Sequence, residues 1–335
     1  MLLLIGAASF IGVHTAHELI DNGCDLIVAG RNGKFKNHYS RLGVGYIDFD
    51  LSRSEDIDKL PTESVDGVIV TAGMLPANSC ADLNSSDNAA DYFELNVIST
   101  IRLLEYCRAN GISRLLQFSS YADTINSWSA NRALTEDEPR SYRFTGDHAV
   151  YVFSKNAMVD VMEYYNQQHG MKNIVFRLPP VLGVGPHGSL MVNGTLRKSG
   201  LQIFMEKARS GDTITVFGDK NLSRDVVYVK DVARAVRMAM GSAGASGLYN
   251  MTAGRGVTLQ EQAEVIARVF ASSPDRISRI EYDPSVENNA PSFLFCMDKA
   301  RRDFGYEPYF TDFSLLMSDF KKDIDLELYR DLFNY

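Results

Sequence analysis

Short apolar runs alternate with amphipathic stretches of helical period through the first half of the chain. The runs are LLLIG, DLIVAG, VGYIDF, DGVIVTAG, SRLLQFSS and NIVFRLP, and the helical stretches are residues 10–22, 88–110 and 149–169. This alternation is typical of parallel strands joined by crossover helices, because helices cover both faces of such a sheet. The sequence therefore predicts a doubly wound α/β sheet, whose ligands bind beyond the carboxyl ends of its strands.

Composition limits the partners of such a fold. The chain has 335 residues, of which 45% are hydrophobic, and a formal net charge of −8. This acidic balance argues against a general nucleic-acid or membrane surface, so we expect neither partner. No stretch reaches the roughly 18 to 20 apolar residues of a membrane-spanning helix. The four cysteines (Cys24, Cys80, Cys107 and Cys296) show no metal-ligand spacing, so we expect no metal and a reduced, cytoplasmic setting.

The first apolar run leads into a helix through a turn that contains Gly6, Ser9 and Gly12, with Phe10 and Ile11 at the helix start. Gly6 permits a tight turn, Gly12 lets the helix lie close to the sheet, and the helix N-terminus attracts a pyrophosphate. Ser9 stands where such a loop has its middle glycine; its Cβ crowds the phosphate, but its hydroxyl is able to donate a hydrogen bond. We expect dinucleotide binding, and the alternative is a structural turn.

The residues after the next strands indicate which dinucleotide binds. The second run ends in VAGRN, which places Arg31 where an NAD site has an acidic residue for the ribose 2′-hydroxyl. Arg31 would pair with a 2′-phosphate, which favours NADP over NAD; the alternative is a solvated loop arginine. Asp50 with Leu51, and Ala72 with Gly73, follow the third and fourth strands, where we expect adenine and ribose. Asp50 also fits a helix N-terminus near SRSED.

The alternation stops after Pro179 and Pro180. The chain continues with a glycine-rich loop, GVGPHGSLMVNG, a helix near 201–210, a strand TITVFG, and a strand and helix in DVVYVKDVARAVRMAM. We therefore expect an NAD(P)-binding Rossmann domain over residues 1–178. Residues 179–335 are expected to form a smaller mixed α/β lobe that binds the substrate, with part of residues 224–241 returning to the first domain.

A second motif, YVFSK, places Tyr151 and Lys155 on one face at the start of a helix. A free phenol has a pKa near 10 and is a poor base at neutral pH, whereas a neighbouring ammonium favours the phenolate. The chain has 16 tyrosines, so roughly one match to this pattern is expected by chance. The motif follows FSSYAD, whose hydroxyls fall at the same sheet edge, and this position favours a functional motif over a chance match.

Taken together, these motifs resemble the extended short-chain dehydrogenase/reductase family, and in particular its sugar-nucleotide epimerase/dehydratase branch. The resemblance covers nearly the whole chain. It rests on the glycine loop, on NVIST with Asn96, on FSS at 118–120, on YVFSK, on FRLPPVLGVGP from residue 176 and on RDVVYVKDVARA from residue 224.

The resemblance implies a role for each motif. Tyr151 would be the acid/base, and Lys155 would bind the nicotinamide ribose and lower the pKa of Tyr151. A hydroxyl after the fifth strand would polarise the reacting oxygen, Asn96 would belong to the cofactor site, and Arg224 would grip the diphosphate of the substrate. Family members commonly dimerise through the helices at 88–110 and 151–169, so we expect a homodimer.

Besides Ser9, the chain departs from the family pattern at three further places. The usual catalytic Ser/Thr position falls on Tyr121, one residue after Ser120, so either side chain is a candidate; we favour Ser120. Ala122 and Asp123 stand where dehydratases carry Asp and Glu, which disfavours dehydration. The substrate-contacting asparagine of the sixth-strand loop is replaced by Pro180, which leaves the sugar open.

The leading hypothesis is an NAD(P)-dependent epimerase or reductase that acts on a nucleotide-activated sugar through a keto intermediate. One alternative is a reductase or dehydrogenase of a non-nucleotide alcohol or ketone, which Pro180 supports and Arg224 opposes. The other is a non-catalytic cofactor-binding scaffold, which the Ser9 loop and the displaced serine motivate.

Overall fold

The structure of the protein is a computed structural model that describes residues 1–31, 33–76, 89–146, 148–186, 188–192, 195–286 and 291–333. Cys80, residue 88 of the expected second helix, and residues 187, 193 and 194 of the glycine-rich segment lie outside the described residues.

A seven-stranded sheet in the order β13-β6-β5-β4-β1-β2-β3 forms the centre of the fold. Its strands are β1 (Leu2–Ile5), β2 (Leu26–Gly30), β3 (Gly45–Asp48), β4 (Gly67–Val70), β5 (Leu115–Ser120), β6 (Ile174–Leu178) and β13 (Gly247–Asn250). All neighbouring pairs are parallel. The predicted doubly wound Rossmann sheet is therefore confirmed, and six of its strands coincide with the six apolar runs.

Helices cover both faces of this sheet. They are α1 (Phe10–Asp21), α2 (Gly33–Arg41), α3 (Ala89–Phe93), α4 (Ser99–Ala109), α5 (Ala149–His169) and α7 (Val229–Gly241). Successive strand residues point to opposite faces, so Leu4 joins one core with Val236 of α7, while Leu3 joins the other with Met158 of α5. Helix α7 packs against α1, and thus a helix from beyond residue 178 covers the same face of the sheet.

The remaining elements form the smaller mixed lobe that the sequence predicted. Its strands are β7 (Val181–Leu182), β8 (Ser189–Val192), β9 (Thr195–Lys198), β10 (Ile214–Phe217), β11 (Ser223–Asp225), β12 (Val227–Tyr228), β14 (Gly256–Thr258) and β15 (Ile280–Asp283), and its helices are α6 (Gly200–Ser210), α8 (Leu259–Val269), α9 (Asp298–Phe304) and α10 (Phe313–Asp325). The strands pair as β7 with β12, β8 with β9, β10 with β15, and β11 with β14. The glycine-rich segment after Pro180, expected as a loop, thus carries one strand of the β8–β9 hairpin.

The chain after α10 returns to the first two helices. The ring of Tyr329 lies 4.5 Å from that of His14 in α1, and Lys34 Nζ in α2 donates to the carbonyl of Leu332 at 3.2 Å. The segment 329–333 therefore packs against helices α1 and α2. Among the described residues, no helix is long and apolar enough to cross a membrane.

Candidate active site

A cleft of about 1700 Å³ opens along the carboxyl edge of the sheet. The predicted site residues that line it are Gly6, Ser9, Phe10, Ile11, Arg31, Asp50, Leu51, Ala72, Gly73, Ser120, Tyr121, Tyr151, Lys155, Pro180 and Arg224. Gly12 and Asn96 do not line the cleft but contact residues that do. Across the described ranges, no group of three His, Cys, Asp or Glu side chains could hold a metal ion.

The turn after β1 and the first turn of α1 each require glycine at one position. Gly6 has a φ of 91°, and a Cβ there would lie 2.4 Å from the backbone nitrogen of Ala72. A Cβ on Gly12 would lie 2.2 Å from the carbonyl oxygen of Gly6. The close approach of α1 to the turn brings the first turn of the helix, with Phe10 and Ile11, to the cleft wall. Such a helix end favours an anion, so this cradle fits the pyrophosphate of a dinucleotide.

Ser9 acts as the N-cap of α1. Its Oγ accepts the N–H of Gly12 at 3.0 Å and donates to Thr71 Oγ1 at 3.0 Å. The Thr71 hydroxyl donates in turn to the carbonyl oxygen of Gly6 at 2.9 Å. The hydroxyl of Ser9 is therefore used to hold the helix end and the turn together, and this explains how the loop keeps its shape without its middle glycine.

Arg31 and Asp50 lie side by side beyond the ends of β2 and β3. Their charged groups are 3.6 Å apart, and Arg31 is largely exposed, whereas Asp50 is mostly covered. Asp50 also accepts the backbone N–H of Ser52 at 3.0 Å and its hydroxyl at 2.7 Å. These hydrogen bonds and Arg31 lower the pKa of the Asp50 carboxyl, although burial opposes them. The pair forms a polar rim beside Leu51 at this end of the cleft.

Asn96 connects the strand β4 loop to helix α5. It lies in a π-helical turn, Glu94–Ile98, between α3 and α4 and is fully buried. Its Oδ1 accepts the N–H of Met74 at 2.9 Å, and its Nδ2 donates to Ser154 Oγ at 2.9 Å. A Cβ on Gly73 would lie 3.0 Å from Asn96 Oδ1 and 3.4 Å from Lys155 Nζ. Asn96 thus supports the cleft wall that lies next to Lys155.

Tyr151 and Lys155 project from the first turns of α5 toward the carboxyl end of β5. They are 8% and 5% exposed, so both are almost completely desolvated. Burial raises the pKa of the Tyr151 phenol above its usual range, and a hydrogen bond with the side chain of Ser120 opposes this rise. Burial lowers the pKa of Lys155 to about 8. The arrangement places a phenol, a hydroxyl and an amine on one wall of the cleft.

Ser120 and Tyr121 occupy different environments although they are adjacent. Ser120 ends β5, accepts the N–H of Ala122 at 3.3 Å and has its side chain next to the Tyr151 phenol. The Tyr121 ring instead stacks on Trp128, with centroids 5.3 Å apart. The structure thus brings the Ser120 hydroxyl to Tyr151, in the position that the sequence left open between the two residues.

Arg224 and Pro180 line the cleft from the part of the chain that follows β6. Arg224 is carried by β11, where its backbone pairs with Val257 of β14. Burial lowers the pKa of its guanidinium, and the nearby Tyr121 opposes that change. Pro180 lines the cleft, and its carbonyl oxygen accepts the N–H of Val227 at 3.1 Å. The ring at this position offers no polar side-chain contact to a ligand.

Sequence reasoning missed a buried ion pair below this wall. Arg177 of β6 donates from Nε and Nη2 to Asp123 Oδ2 at 3.1 and 2.8 Å, and from Nη1 to Asn250 Oδ1 at 3.1 Å. Asp123 therefore connects the turn after β5 to two further strands and does not line the cleft. Charged residues at the carboxyl ends of adjacent apolar runs were the signal for this pair.

Thr71 was also missed, although a hydroxyl within the fourth apolar run, DGVIVTAG, was visible in the sequence. Its contacts with Ser9 and Gly6 cross from β4 to the glycine turn. No spacing in the sequence indicates this contact, because the residues that it joins are distant along the chain.

A parallel sheet with a glycine turn before its first helix, and a Tyr-Lys pair facing the same edge, are the features expected from the resemblance to the extended short-chain dehydrogenase/reductase family. The sequence pattern of the NAD dependent epimerase/dehydratase family matches residues 2–252. The chain therefore belongs to that family.

Three similar proteins illustrate the membership. The UDP-glucose 4-epimerase of Halalkalibacterium halodurans is 26% identical over 320 residues, which cover 92% of this chain and 90% of that protein. The structure of the Thermotoga maritima UDP-glucose 4-epimerase with UDP-glucose has a TM-score of 0.77 and 22% identity, covering 98% of this chain and 99% of that one. The Thermus thermophilus UDP-glucose 4-epimerase, in complex with NAD, has a TM-score of 0.70 and 24% identity, covering 96% and 98%.

Proposed function

We propose that this enzyme is an NADP-using epimerase or reductase that acts on a nucleotide-activated sugar through a keto intermediate. The observation that carries the proposal is the convergence of Tyr151, Ser120 and Lys155 on one wall of the cleft, beside the turn of Gly6. NAD is the alternative cofactor, and it is the one held by the Thermus thermophilus enzyme.

Arg31 is the basis for preferring NADP. A carboxylate after β2 would repel a 2′-phosphate, whereas the exposed guanidinium of Arg31, which lies at the cleft rim beside Asp50, would pair with such a group by charge-assisted hydrogen bonds. Asp50 already accepts a hydrogen bond from Ser52. It would then either bind the adenosine ribose or stay paired with Arg31. The glycine turn and the first turn of α1 would hold the pyrophosphate.

The proposed chemistry uses the three side chains near the nicotinamide position. The cofactor would accept or supply a hydride. Tyr151 would take the proton from a sugar hydroxyl during oxidation and return it during reduction, and Ser120 would hold the same oxygen by a hydrogen bond. Lys155 would bind the nicotinamide ribose, and its ammonium would stabilise the phenolate of Tyr151 once the closed site excludes water.

Epimerisation and reduction would differ in what happens to the ketone. Reduction releases the product after one hydride transfer, whereas epimerisation requires the ketone to turn over inside the cleft and take the hydride on its other face. Dehydration is not proposed, because the Asp123 carboxylate is held by Arg177 in a buried pair, and Ala122 supplies no acid.

Arg224 is the basis for proposing a nucleotide sugar as the substrate. A half-buried guanidinium on the cleft wall suits a diphosphate, because planar donors bind phosphate oxygens in pairs. Pro180 favours the second candidate, a non-nucleotide alcohol or ketone, because it removes a polar contact. Thermal-shift measurements with UDP, GDP, CDP and dTDP sugars separate the two: stabilisation by one of them supports the first candidate, and stabilisation by none supports the second.

The proposed mechanism is tested by the Tyr151→Phe variant. We expect turnover to fall by a factor of about 10² to 10⁴, while the dissociation constant of the dinucleotide stays unchanged. Tyr164→Phe is the matched control, since Tyr164 lies on the same helix with 55% of its surface exposed. Unchanged turnover in Tyr151→Phe would remove the phenol from the mechanism. Mass spectrometry of ligands released from the purified protein would then identify the cofactor and any retained sugar nucleotide.

The expected homodimer, through the helices at 88–110 and 151–169, stays a prediction. Size-exclusion chromatography with light scattering measures it directly, and a mass of about one chain at micromolar concentration would contradict it.

A further inference from the structure

The ring of Tyr121 is fixed by two other aromatic rings. Its centroid lies 5.3 Å from that of Trp128, with the planes 4° apart, and 5.2 Å from that of Phe293, with the planes 25° apart. Trp128 and Phe293 are themselves stacked at 4.4 Å. We call these three residues the aromatic stack. Stacked rings of this kind attract one another beyond their buried area, so the ring has little freedom to turn.

The aromatic stack is anchored on the strand that carries Arg224. The N–H of Phe293 donates to the carbonyl of Ser223 at 3.1 Å, and the carbonyl of Phe293 accepts the N–H of Asp225 at 3.0 Å. Both neighbours of Arg224 are thus tied to Phe293, whose ring touches Tyr121. The position of the Tyr121 phenol relative to Arg224 is therefore set by backbone hydrogen bonds and ring packing together.

The Tyr121 phenol lies between the two ends of the candidate site. It lines the cleft together with Tyr151 and Arg224. Burial raises the pKa of Tyr121, and the Arg224 guanidinium is close enough to oppose that rise. On its other side, Tyr121 contributes to the raised pKa of Tyr151. Tyr121 is neutral at physiological pH and keeps its O–H as a hydrogen-bond donor.

The family pattern places the catalytic hydroxyl at the position of Tyr121, but the hydroxyl next to Tyr151 is that of Ser120. The hydroxyl that hydrogen-bonds to Tyr151 comes from Ser120. The Tyr121 ring is held instead in the aromatic stack, which backbone hydrogen bonds of Phe293 tie to the strand of Arg224. A rigid neutral donor beside a cation suits an anionic oxygen, because charge-assisted hydrogen bonds are about twice as strong as neutral ones.

We propose that Tyr121 is a substrate-binding residue whose hydroxyl donates to a phosphate oxygen of the nucleoside diphosphate that Arg224 holds. The proposal rests on the nucleotide-sugar function proposed above. It gives the enzyme two contacts to the diphosphate, and it fixes the distance from that group to the Tyr151 phenol. A substrate without a phosphate at this distance would lose both contacts.

The Tyr121→Phe variant tests the proposal, because it removes the hydroxyl and keeps the aromatic stack. We expect the KM for the nucleotide sugar and the dissociation constant of UDP to rise about tenfold, which corresponds to about 1.4 kcal/mol. The turnover number should stay within about twofold, and NADP binding should not change. Tyr309→Phe is the matched control, because this phenol is 68% exposed and does not line the cleft.

A second variant tests whether Tyr121 and Arg224 act on the same group. In an Arg224→Lys background, which keeps the charge, we expect Tyr121→Phe to weaken UDP binding by less than about threefold, because contacts to one phosphate group are coupled. Independent tenfold losses would overturn the shared contact. A fall in the turnover number with an unchanged KM would overturn substrate binding and make Tyr121 the catalytic hydroxyl.

Failure of the inference and failure of the proposed function give different results. If the wild-type protein binds UDP, GDP, CDP or dTDP and Tyr121→Phe binds it equally well, only the role of Tyr121 is overturned. If the wild-type protein binds none of them while it still binds the dinucleotide, the nucleotide-sugar function is overturned and the role of Tyr121 with it.

Discussion

The N-cap role of Ser9 gives a prediction that separates helix stability from cofactor binding. Ser9 Oγ accepts the N–H of Gly12 at 3.0 Å, and its backbone has a φ of −81° and a ψ of 164°, which any residue adopts. Loss of an N-cap side chain to alanine costs about 1 kcal/mol, whereas glycine in its place costs a few tenths. We expect Ser9→Ala to lower the free energy of unfolding by about 1 kcal/mol, and Ser9→Gly by much less.

Dinucleotide affinity should respond differently from stability. The Ser9 hydroxyl is engaged by Gly12 and Thr71, so we expect it to contribute little to holding a phosphate. We therefore expect both variants to bind NADP within about twofold of the wild type, because a twofold change corresponds to only about 0.4 kcal/mol. Urea unfolding without cofactor measures the first quantity, and fluorescence titration with NADPH measures the second.

Two results would refute this reasoning. Equal stability of Ser9→Ala and the wild type would show that the cap contributes nothing to α1. A tenfold loss of NADP affinity in both variants, without a loss of stability, would show that the hydroxyl contacts the phosphates and that its hydrogen bonds to Gly12 and Thr71 are secondary.

Three further predictions concern other parts of the cleft. Arg31→Ala should weaken NADP about tenfold and leave NAD within about twofold, because only NADP carries the group that forms a charge-assisted hydrogen bond; calorimetry measures both, and equal losses would exclude a phosphate clamp. Burial lowers the pKa of Lys155 to about 8, whereas in the unfolded chain this side chain keeps its proton up to a pH of about 10.4. The folded state therefore gains stability as pH rises from about 8 to about 10.4, and it loses that stability as pH falls through the same window. Lys155→Met should therefore stabilise the cofactor-free protein at pH 7 by up to about 3 kcal/mol and much less at pH 10, which urea unfolding at the two pH values checks; an equal effect at both would contradict the lowered pKa. Asp123→Asn should destabilise the fold by about 3 kcal/mol, since it leaves the Arg177 cation buried without its counter-charge, and a loss below about 1 kcal/mol in thermal or urea unfolding would contradict this.

Local sequence patterns were sufficient for most of the sheet and for the cofactor turn. The six apolar runs became strands because each is short, apolar and followed by a turn residue. Gly6 and Gly12 were identifiable from their spacing after the first run, and the structure shows that no other residue fits their contacts. Strand β13 was not predicted, since its four residues, GLYN, carry no clear periodicity. Its place is decided by the packing of α7 against α1 and by pairing with β6, and neither contact is visible along the chain.

The sequence favoured Ser120 over Tyr121 but left both open. A shift of one residue at the end of β5 changes which of the two side chains lies next to Tyr151, and the sequence does not fix where that strand stops. The structure ends β5 at Ser120 and begins a 3₁₀ turn at Tyr121. The ring stacking that fixes the Tyr121 side chain depends on Phe293, which lies far along the sequence.

The contact of segment 329–333 with α1 and α2 has a consequence for synthesis on the ribosome. The ring of Phe35, in α2, lies 6.2 Å from that of Phe333. The segment that covers Phe35 is therefore translated almost three hundred residues later than Phe35 itself. The nascent chain must carry an uncovered aromatic surface beside the cleft until segment 329–333 emerges from the ribosome. Ribosome-bound chains arrested before this segment emerges should therefore hold the dinucleotide less tightly than the released protein.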